Sequence, residues 1–165
     1  MTRLPTFLRA SFAATTVGAA LVLAGCAYMP KGMGGTTNPS GAAASTTVTQ
    51  AFRATLSSAA EVPANASTGT GNLEASFDKA TGMLRWKLTY SGLSGPATMV
   101  HFHGPAMPGS NAGVVVPFPS AASPAEGQAT LTPAQVADLV GGRWYVNVHT
   151  AQNPAGEIRG QVLAN

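Results

Sequence analysis

The stretch NLEASFDKATGMLRWKLTY, residues 72–90, decides the fold class of this chain of 165 residues. Apolar and polar residues alternate on both sides of a short polar interruption, and a period of two is typical of strands with one buried face. The interruption, 78–82, has the composition of a hairpin loop and ends at Gly82, where a positive φ is easily accommodated. The sequence therefore predicts an antiparallel hairpin whose inward-facing residues are Leu73, Ala75, Phe77, Leu84, Trp86, Leu88 and Tyr90.

Similar short apolar segments recur along the rest of the chain. They predict further strands at 52–56, 97–103, 113–118, 127–131, 143–149 and 157–163. One short helix is indicated near 133–140, with Thr132 as the N-cap, Pro133 in the first helical position and Gly141 at the stop. Short strands with Gly and Pro turns, and no alternation of strands with helices, predict an all-β protein. We expect an antiparallel Greek-key, immunoglobulin-like sandwich of about eight strands.

The N-terminal region, 1–25, has the features of a bacterial lipoprotein signal peptide. Arg3 and Arg9 precede an uncharged apolar run at 10–23, which is shorter than the ~20 residues of a spanning helix. The tetrapeptide that ends at Cys26, Leu-Ala-Gly-Cys, resembles a lipobox, in which the cysteine carries the lipid. An ordinary signal peptide or an uncleaved anchor helix remains the alternative. The resemblance implies a protein held in the bacterial cell envelope by lipid on Cys26, and Ala27 after it indicates the outer membrane.

The mature chain is expected to consist of a tether and one domain. Residues 26–47 contain the lipidated cysteine and a Gly-, Ser- and Thr-rich flexible tether, and residues 48–165 form the domain. Cys26 is the one cysteine, so we expect a domain without disulfides. Removal of the signal lowers Lys+Arg from nine to seven against six acidic residues, a net charge of about +1. We therefore expect no nucleic-acid partner.

All three histidines of the chain lie in two short phrases, His101-Phe102-His103-Gly104 and the segment that ends at Val148-His149-Thr150. His101 and His103 are two residues apart and share one strand face, whereas His149 can join them only through the fold. Three imidazoles can hold a transition metal such as copper and leave a position open. Side chains that could support such a site are Met99, Asn147, Glu157 and Arg159.

Two other interpretations of these histidines stay open. They could form a structural polar network that satisfies buried backbone groups, with Glu157 paired to Arg159 or Arg143. They could also contact an unknown protein or small ligand. The sequence contains no Gly-x-Ser-x-Gly motif and few acidic residues, so no catalytic set is evident. A non-catalytic binding or interaction module is therefore the expected function, and a copper-binding protein that uses the three histidines is the alternative.

Several phrases of the domain resemble the CHRD domain family, whose name comes from repeats in chordin. They appear in order between about 50 and 163 and are Ala59-Ala60-Glu61-Val62-Pro63, Gly69-Thr70-Gly71, Tyr90-Ser91-Gly92-Leu93, His101-Phe102-His103-Gly104-Pro105, the segment 142–150 and the segment 154–161. The resemblance implies an all-β immunoglobulin-like fold. It implies no established reaction.

The histidine phrases also resemble, more loosely, those of copper/zinc superoxide dismutase. That resemblance implies that His101, His103 and His149 match three copper ligands and that Arg159 approximately matches an anion-guiding arginine. It also implies that the alternative, a copper-binding protein, would have weak redox or dismutase-like activity. The chain has no bridging histidine, no zinc-ligand set and no second cysteine for a disulfide. A zinc-bridged dismutase is therefore excluded.

Overall fold

The structure is a computed structural model and describes residues 48–165. The predicted signal peptide (1–25) and the lipidated cysteine with its tether (26–47) lie outside the described residues. The elements in chain order are β1 (Thr49–Ser57), a 3-10 turn (Ser58–Ala60), β2 (Thr70–Asp78), β3 (Met83–Ser91), β4 (Ala97–His103), β5 (Val114–Pro117), β6 (Ala125–Thr130), α1 (Pro133–Val140), β7 (Trp144–Thr150) and β8 (Ile158–Ala164). Within this range no helix is long and apolar enough to span a bilayer.

All eight strands belong to one antiparallel sheet in the order β5-β4-β7-β8-β1-β2-β3-β6. The sheet is nearly closed, so its two halves face each other across a single core. Trp86 of β3 packs edge-on against Phe102 of β4 with ring centroids 5.2 Å apart, and Phe118 lies 5.0 Å from Trp86. The predicted all-β sandwich is confirmed.

The hairpin predicted from 72–90 is β2 paired with β3. Leu73 lies opposite Leu88 and Phe77 opposite Leu84, and all four side chains are buried in the core. In the connecting loop, the carboxylate of Asp78 accepts the backbone N–H of Ala80 at 2.8 Å. Gly82 has φ 70°, the left-handed conformation that the loop composition predicted.

The predicted helix is confirmed with the same bounds. Thr132 and Gln135 form a reciprocal capping box, in which each side chain accepts the backbone N–H of the other residue. Pro133 occupies the first helical position, where its missing N–H costs no hydrogen bond, and Gly141 is the C-cap.

The alternation of side chains in β4 and β7 positions the histidines. In β4, Val100 and Phe102 enter the core, and Val146 and Val148 do the same in β7. The residues between them must point to the other face of the sheet. His101, His103 and His149 therefore lie on the face opposite the apolar core.

The connection between β7 and β8 is fixed by Glu157, which is fully buried. Its carboxylate accepts hydrogen bonds from the hydroxyls of Ser67, Ser94 and Thr150 and from the Ser94 backbone N–H, at 2.5 to 2.6 Å. Burial alone would raise the pKa of this carboxyl, but the hydrogen bonds favour the charged form and lower the pKa to about 2. One ionised carboxylate thus joins the loops before β2 and β4 to the end of β7.

Replacement of this carboxylate should destabilise the domain in a pH-dependent manner. Each oxygen of Glu157 accepts two hydrogen bonds. Glu157→Gln replaces one of these oxygens by an NH2 group that faces two donors, so the free energy of unfolding at pH 7 should fall by about 2–3 kcal/mol. Because the folded pKa is depressed, wild type loses this advantage as pH falls from about 4.5 toward 2, and the difference between the two proteins should narrow there. Urea unfolding at pH 7 and pH 3 measures both effects.

The matched control is Glu126→Gln. Glu126 pairs with Lys87 at 3.4 Å on the surface, with both side chains more than half exposed, so its loss should change stability by less than about 1 kcal/mol. Equal unfolding free energies for Glu157→Gln and Glu126→Gln would contradict this account of the β7–β8 connection.

Candidate metal centre

The structure brings the three histidines together on the outer face of the sheet. One ring nitrogen from each of His101, His103 and His149 lies within 4.8 Å of the others. The closest approach is between His101 Nδ1 and His149 Nε2, which are 3.4 Å apart. Antiparallel pairing of β4 with β7 accounts for the cluster, because Met99 lies opposite His149 and His101 lies opposite Asn147. His149 is therefore diagonal to His101, within reach of a long side chain.

Backbone carbonyls orient two of the three rings. His103 Nδ1 donates to the carbonyl of Ala112 at 3.0 Å, and His149 Nδ1 donates to the carbonyl of Pro154 at 3.0 Å. A carbonyl can only accept, so the proton of each neutral ring lies on Nδ1 and the Nε2 atoms carry lone pairs. Protein carbonyls commonly hold metal-binding imidazoles in this way. In both rings, Nε2 is therefore the nitrogen available as a ligand.

The cluster is buried on one side and open on the other. His103 and His149 are 8% and 6% exposed, whereas His101 is half-buried at the rim. Burial disfavours the charged form and lowers the pKa of all three histidines below the usual 6.5. The pKa of His101 is lowered further by its two neighbouring rings. The imidazoles are therefore neutral at pH 7, the form that binds metals.

The His103 ring is held by stacking on Tyr145, which in turn contacts Arg159. The Tyr145 ring lies parallel to the His103 ring, with centroids 4.8 Å apart, and the Arg159 guanidinium lies 3.4 Å from the centre of the Tyr145 ring. Arg159 donates to the Ser110 carbonyl at 2.7 Å and to Asn111 Oδ1 at 3.0 Å. These contacts hold the loop 104–113 over the cluster, and the same loop supplies the carbonyl of Ala112.

The four residues expected to support the site lie in different places. Met99 is on the histidine face, in the position opposite His149, and is 47% exposed. Asn147 is buried in β7, in the position opposite His101. Arg159 acts through Tyr145, as described above.

Glu157 was expected either to support the histidines or to pair with an arginine, and the structure shows neither contact. Its oxygens accept hydrogen bonds from the hydroxyl groups of Ser67, Ser94 and Thr150, and no histidine or arginine is among its hydrogen-bond partners. In the described part of the chain the ion pairs are Lys87 with Glu126 and Arg143 with Asp138, so neither Arg159 nor Arg143 pairs with it.

Sequence reasoning did not identify Glu61 as a site residue. Glu61 follows the 3-10 turn and is 6% exposed, with Oε1 buried and without a hydrogen-bond partner. Burial raises the pKa of its carboxyl, an effect that the charge of Arg159 partly opposes. A Cβ at Gly156, which has φ 134°, would overlap both Glu61 Oε1 and Asn147 Nδ2. The sequence feature that could have identified Glu61 is an acidic residue among apolar ones, in Ala59-Ala60-Glu61-Val62-Pro63.

Comparison with known proteins identifies the family of the chain. No curated protein and no solved structure gives a significant match. The model of the CHRD domain family matches residues 52–162, which is most of the chain and nearly the whole described domain. The match includes all three histidines, Asn147 and Glu61. With its all-β sandwich and the expected motifs in order, the chain belongs to the CHRD domain family.

Proposed function

We propose that this protein is a lipid-anchored module of the bacterial envelope that binds one transition-metal ion, with copper as the expected metal. The ligands are His101, His103 and His149, and no catalytic turnover is needed for this role. The observation that carries the proposal is the meeting of three neutral imidazoles, two of which have their Nε2 atoms freed by backbone carbonyls. A non-catalytic binding module also fits a CHRD domain of this fold.

The spacing of the ring nitrogens suits a metal. Two nitrogens bound to one tetrahedral ion at ~2.0–2.1 Å are about 3.3 Å apart. His101 Nδ1 and His149 Nε2 are already 3.4 Å apart, and the widest separation in the cluster is at most 4.8 Å. The widest pair would have to approach by no more than about 1.5 Å to complete the set. The half-buried position of His101 leaves a route from solvent to the ion.

A purely structural network explains the cluster less well. The contact between His101 and His149 can exist without metal, because His101 Nδ1–H can donate to His149 Nε2. His103 Nε2, however, is buried and has no hydrogen-bond partner. Buried polar atoms in a structural network are almost always satisfied. A bound ion would use this lone pair.

The donor set favours copper among the divalent ions. Imidazole is a good ligand for copper, zinc, iron and nickel, and copper binds most tightly in the general order of affinities. The thioether of Met99 lies on the same face, opposite His149, and thioethers favour Cu(I). A protein exported to the envelope would meet copper outside the cytoplasm.

The anchor forms the second part of the proposal. The apolar run at 10–23 and the lipobox-like sequence that ends at Cys26 support export and lipidation, and the polar segment 27–47 has the composition of a tether. A domain on such a tether would remain close to the outer membrane, where it would bind metal at the cell surface or in the periplasm.

A second candidate is a partner-binding module without metal. Three large apolar side chains around the cluster are exposed, with Met99 at 47%, Met107 at 60% and Val114 at 50%. β5 is an edge strand of the sheet, and edge strands can pair with another chain. In this interpretation the partner is an unknown protein or small ligand and the histidines are structural. The copper experiment below separates the two candidates.

The purified protein should retain about one copper ion per chain after dialysis against copper and then against buffer. His149→Ala should lower the retained copper at least tenfold, because two imidazoles hold the ion much less tightly than three. Elemental analysis measures the retained copper, and circular dichroism checks that the variant folds.

Thr98→Ala is the matched control, since Thr98 contacts the backbone of His149 but supplies no imidazole. The control should retain as much copper as wild type. Absence of retained metal from wild type would reject the metal-binding function and leave the partner-binding candidate.

Copper retention should depend on pH in the direction set by the histidine pKa values. Because burial lowers these pKa values below 6.5, protons should compete little at pH 7.5 and increasingly as pH falls below 6.5. Dialysis at pH 7.5, 6.5 and 5.0 measures this dependence. Equal retention at all three values would mean that other groups bind the copper.

Cys26→Ser should release the protein from membranes. Wild-type protein should sediment with the outer-membrane fraction and incorporate radiolabelled palmitate, whereas the variant should do neither. Ala27→Ser, which leaves the cysteine in place, should still incorporate the label. Continued palmitate labelling of Cys26→Ser would reject lipidation at this residue.

A further inference from the structure

Unsatisfied buried atoms concentrate beside the three histidines. In the described range, five buried side-chain polar atoms have no hydrogen-bond partner. Two belong to the indoles of Trp86 and Trp144. The other three are Glu61 Oε1, His103 Nε2 and Asn147 Oδ1, which come from neighbouring residues at one place in the fold. Buried polar atoms are almost always hydrogen-bonded, so three unsatisfied atoms in one place indicate that this place binds a ligand.

Asn147 occupies the centre of this group. It is the cross-strand neighbour of His101, and its side chain lies on the same strand face as that of His149. The side chain is 3% exposed and lies beside both His103 and Glu61. The amide group of Asn147 therefore lies between the imidazoles on one side and the carboxyl group of Glu61 on the other.

The orientation of the amide follows from its surroundings. Asn147 Nδ2 and Glu61 Oε1 approach the same point, the place that a Cβ would occupy at Gly156. The NH2 end therefore faces the carboxyl group, and Oδ1 is left for the histidine side. There it meets His103, whose one proton is committed to the Ala112 carbonyl. Asn147 Oδ1 and His103 Nε2 are thus two buried lone-pair atoms of neighbouring side chains, and neither has a hydrogen-bond partner.

We infer that Asn147 Oδ1 is the fourth ligand of the metal, so that the site holds its ion by three imidazole nitrogens and one amide oxygen. The inference rests on the proposed function and adds a ligand that the histidines alone do not reveal. A cation bound by both atoms would satisfy both lone pairs. Glu61 is the positioning residue, because its carboxyl group faces the NH2 end of the amide and thereby leaves the oxygen for the ion. A mixed nitrogen and oxygen set suits a divalent ion, Cu²⁺ among them.

The test compares Cu²⁺ bound to wild-type protein and to Asn147→Ala by electron paramagnetic resonance and by competition with a chelator of known affinity. We expect wild type to give the spectrum of three nitrogens and one oxygen from protein. We expect Asn147→Ala to shift the copper hyperfine splitting and to weaken Cu²⁺ binding by about 10–100-fold. An unchanged spectrum with an affinity within twofold of wild type would overturn the inference.

Three further variants keep the test decisive. Asn147→Asp retains an oxygen ligand and adds charge, so it should bind Cu²⁺ at least as tightly as wild type, and weaker binding would count against the inference even if Asn147→Ala failed to fold. Glu61→Gln keeps an acceptor for the amide and should preserve the spectrum, whereas Glu61→Leu should shift it. Failure of wild type to bind Cu²⁺ at all would reject the proposed function itself.

Gln161→Ala is the matched control. Gln161 is another amide on the same face of the sheet, but its NH2 group donates to the carbonyls of Ala106 and Gly142 at 2.9 and 2.8 Å, away from the histidines. Its loss should lower stability and leave the copper spectrum unchanged. A shift as large as that of Asn147→Ala would show that the spectrum reports loosening of the domain, and this result would also overturn the inference.

Discussion

The pairing of β4 with β7 is the constraint on which the site depends. Core packing fixes which face of each strand is apolar, because Phe102 and Val148 are fully buried on the inner side. A slip of one residue in either strand would bury imidazoles in the core and expose these side chains. The free energy of the apolar core therefore holds His101, His103 and His149 on one outer face, although none of the three contributes to that core.

The outer face is built as a polar layer under a cover of loops. The loop 104–113 and the segment after β1 shield it from water, and Arg159, stacked on Tyr145, holds that loop with two hydrogen bonds. Such a layer is costly to bury unless its groups are paired. Most of them are paired with backbone carbonyls or with each other. The exceptions lie around the histidines, where an ion would satisfy them, so the same arrangement explains both the stability of the cover and the proposed affinity for metal.

The fold was predictable because its strands and helix follow from local sequence patterns. Alternation in 72–90 depends on neighbours in sequence, and the capping signals around 133–140 are equally local, so both elements formed where expected. The shared face of His101 and His103 follows from the same rule. The arrival of His149 beside them does not, because it depends on which strand pairs with β4 and in what register. Glu61 is less predictable still, since its position depends on a segment after β1 that folds back beside β7. The carbonyls that orient the imidazoles could not be predicted either, because every residue has a backbone carbonyl and the sequence does not show which one accepts from a histidine.

The most direct measurement is a crystal structure of the copper-loaded protein with anomalous scattering recorded on both sides of the copper absorption edge. We expect a single strong copper peak about 2 Å from His101 Nδ1, His103 Nε2 and His149 Nε2, with the register of β4 and β7 unchanged. A map without a peak among the three imidazoles, or with copper bound elsewhere on the described domain, would contradict it.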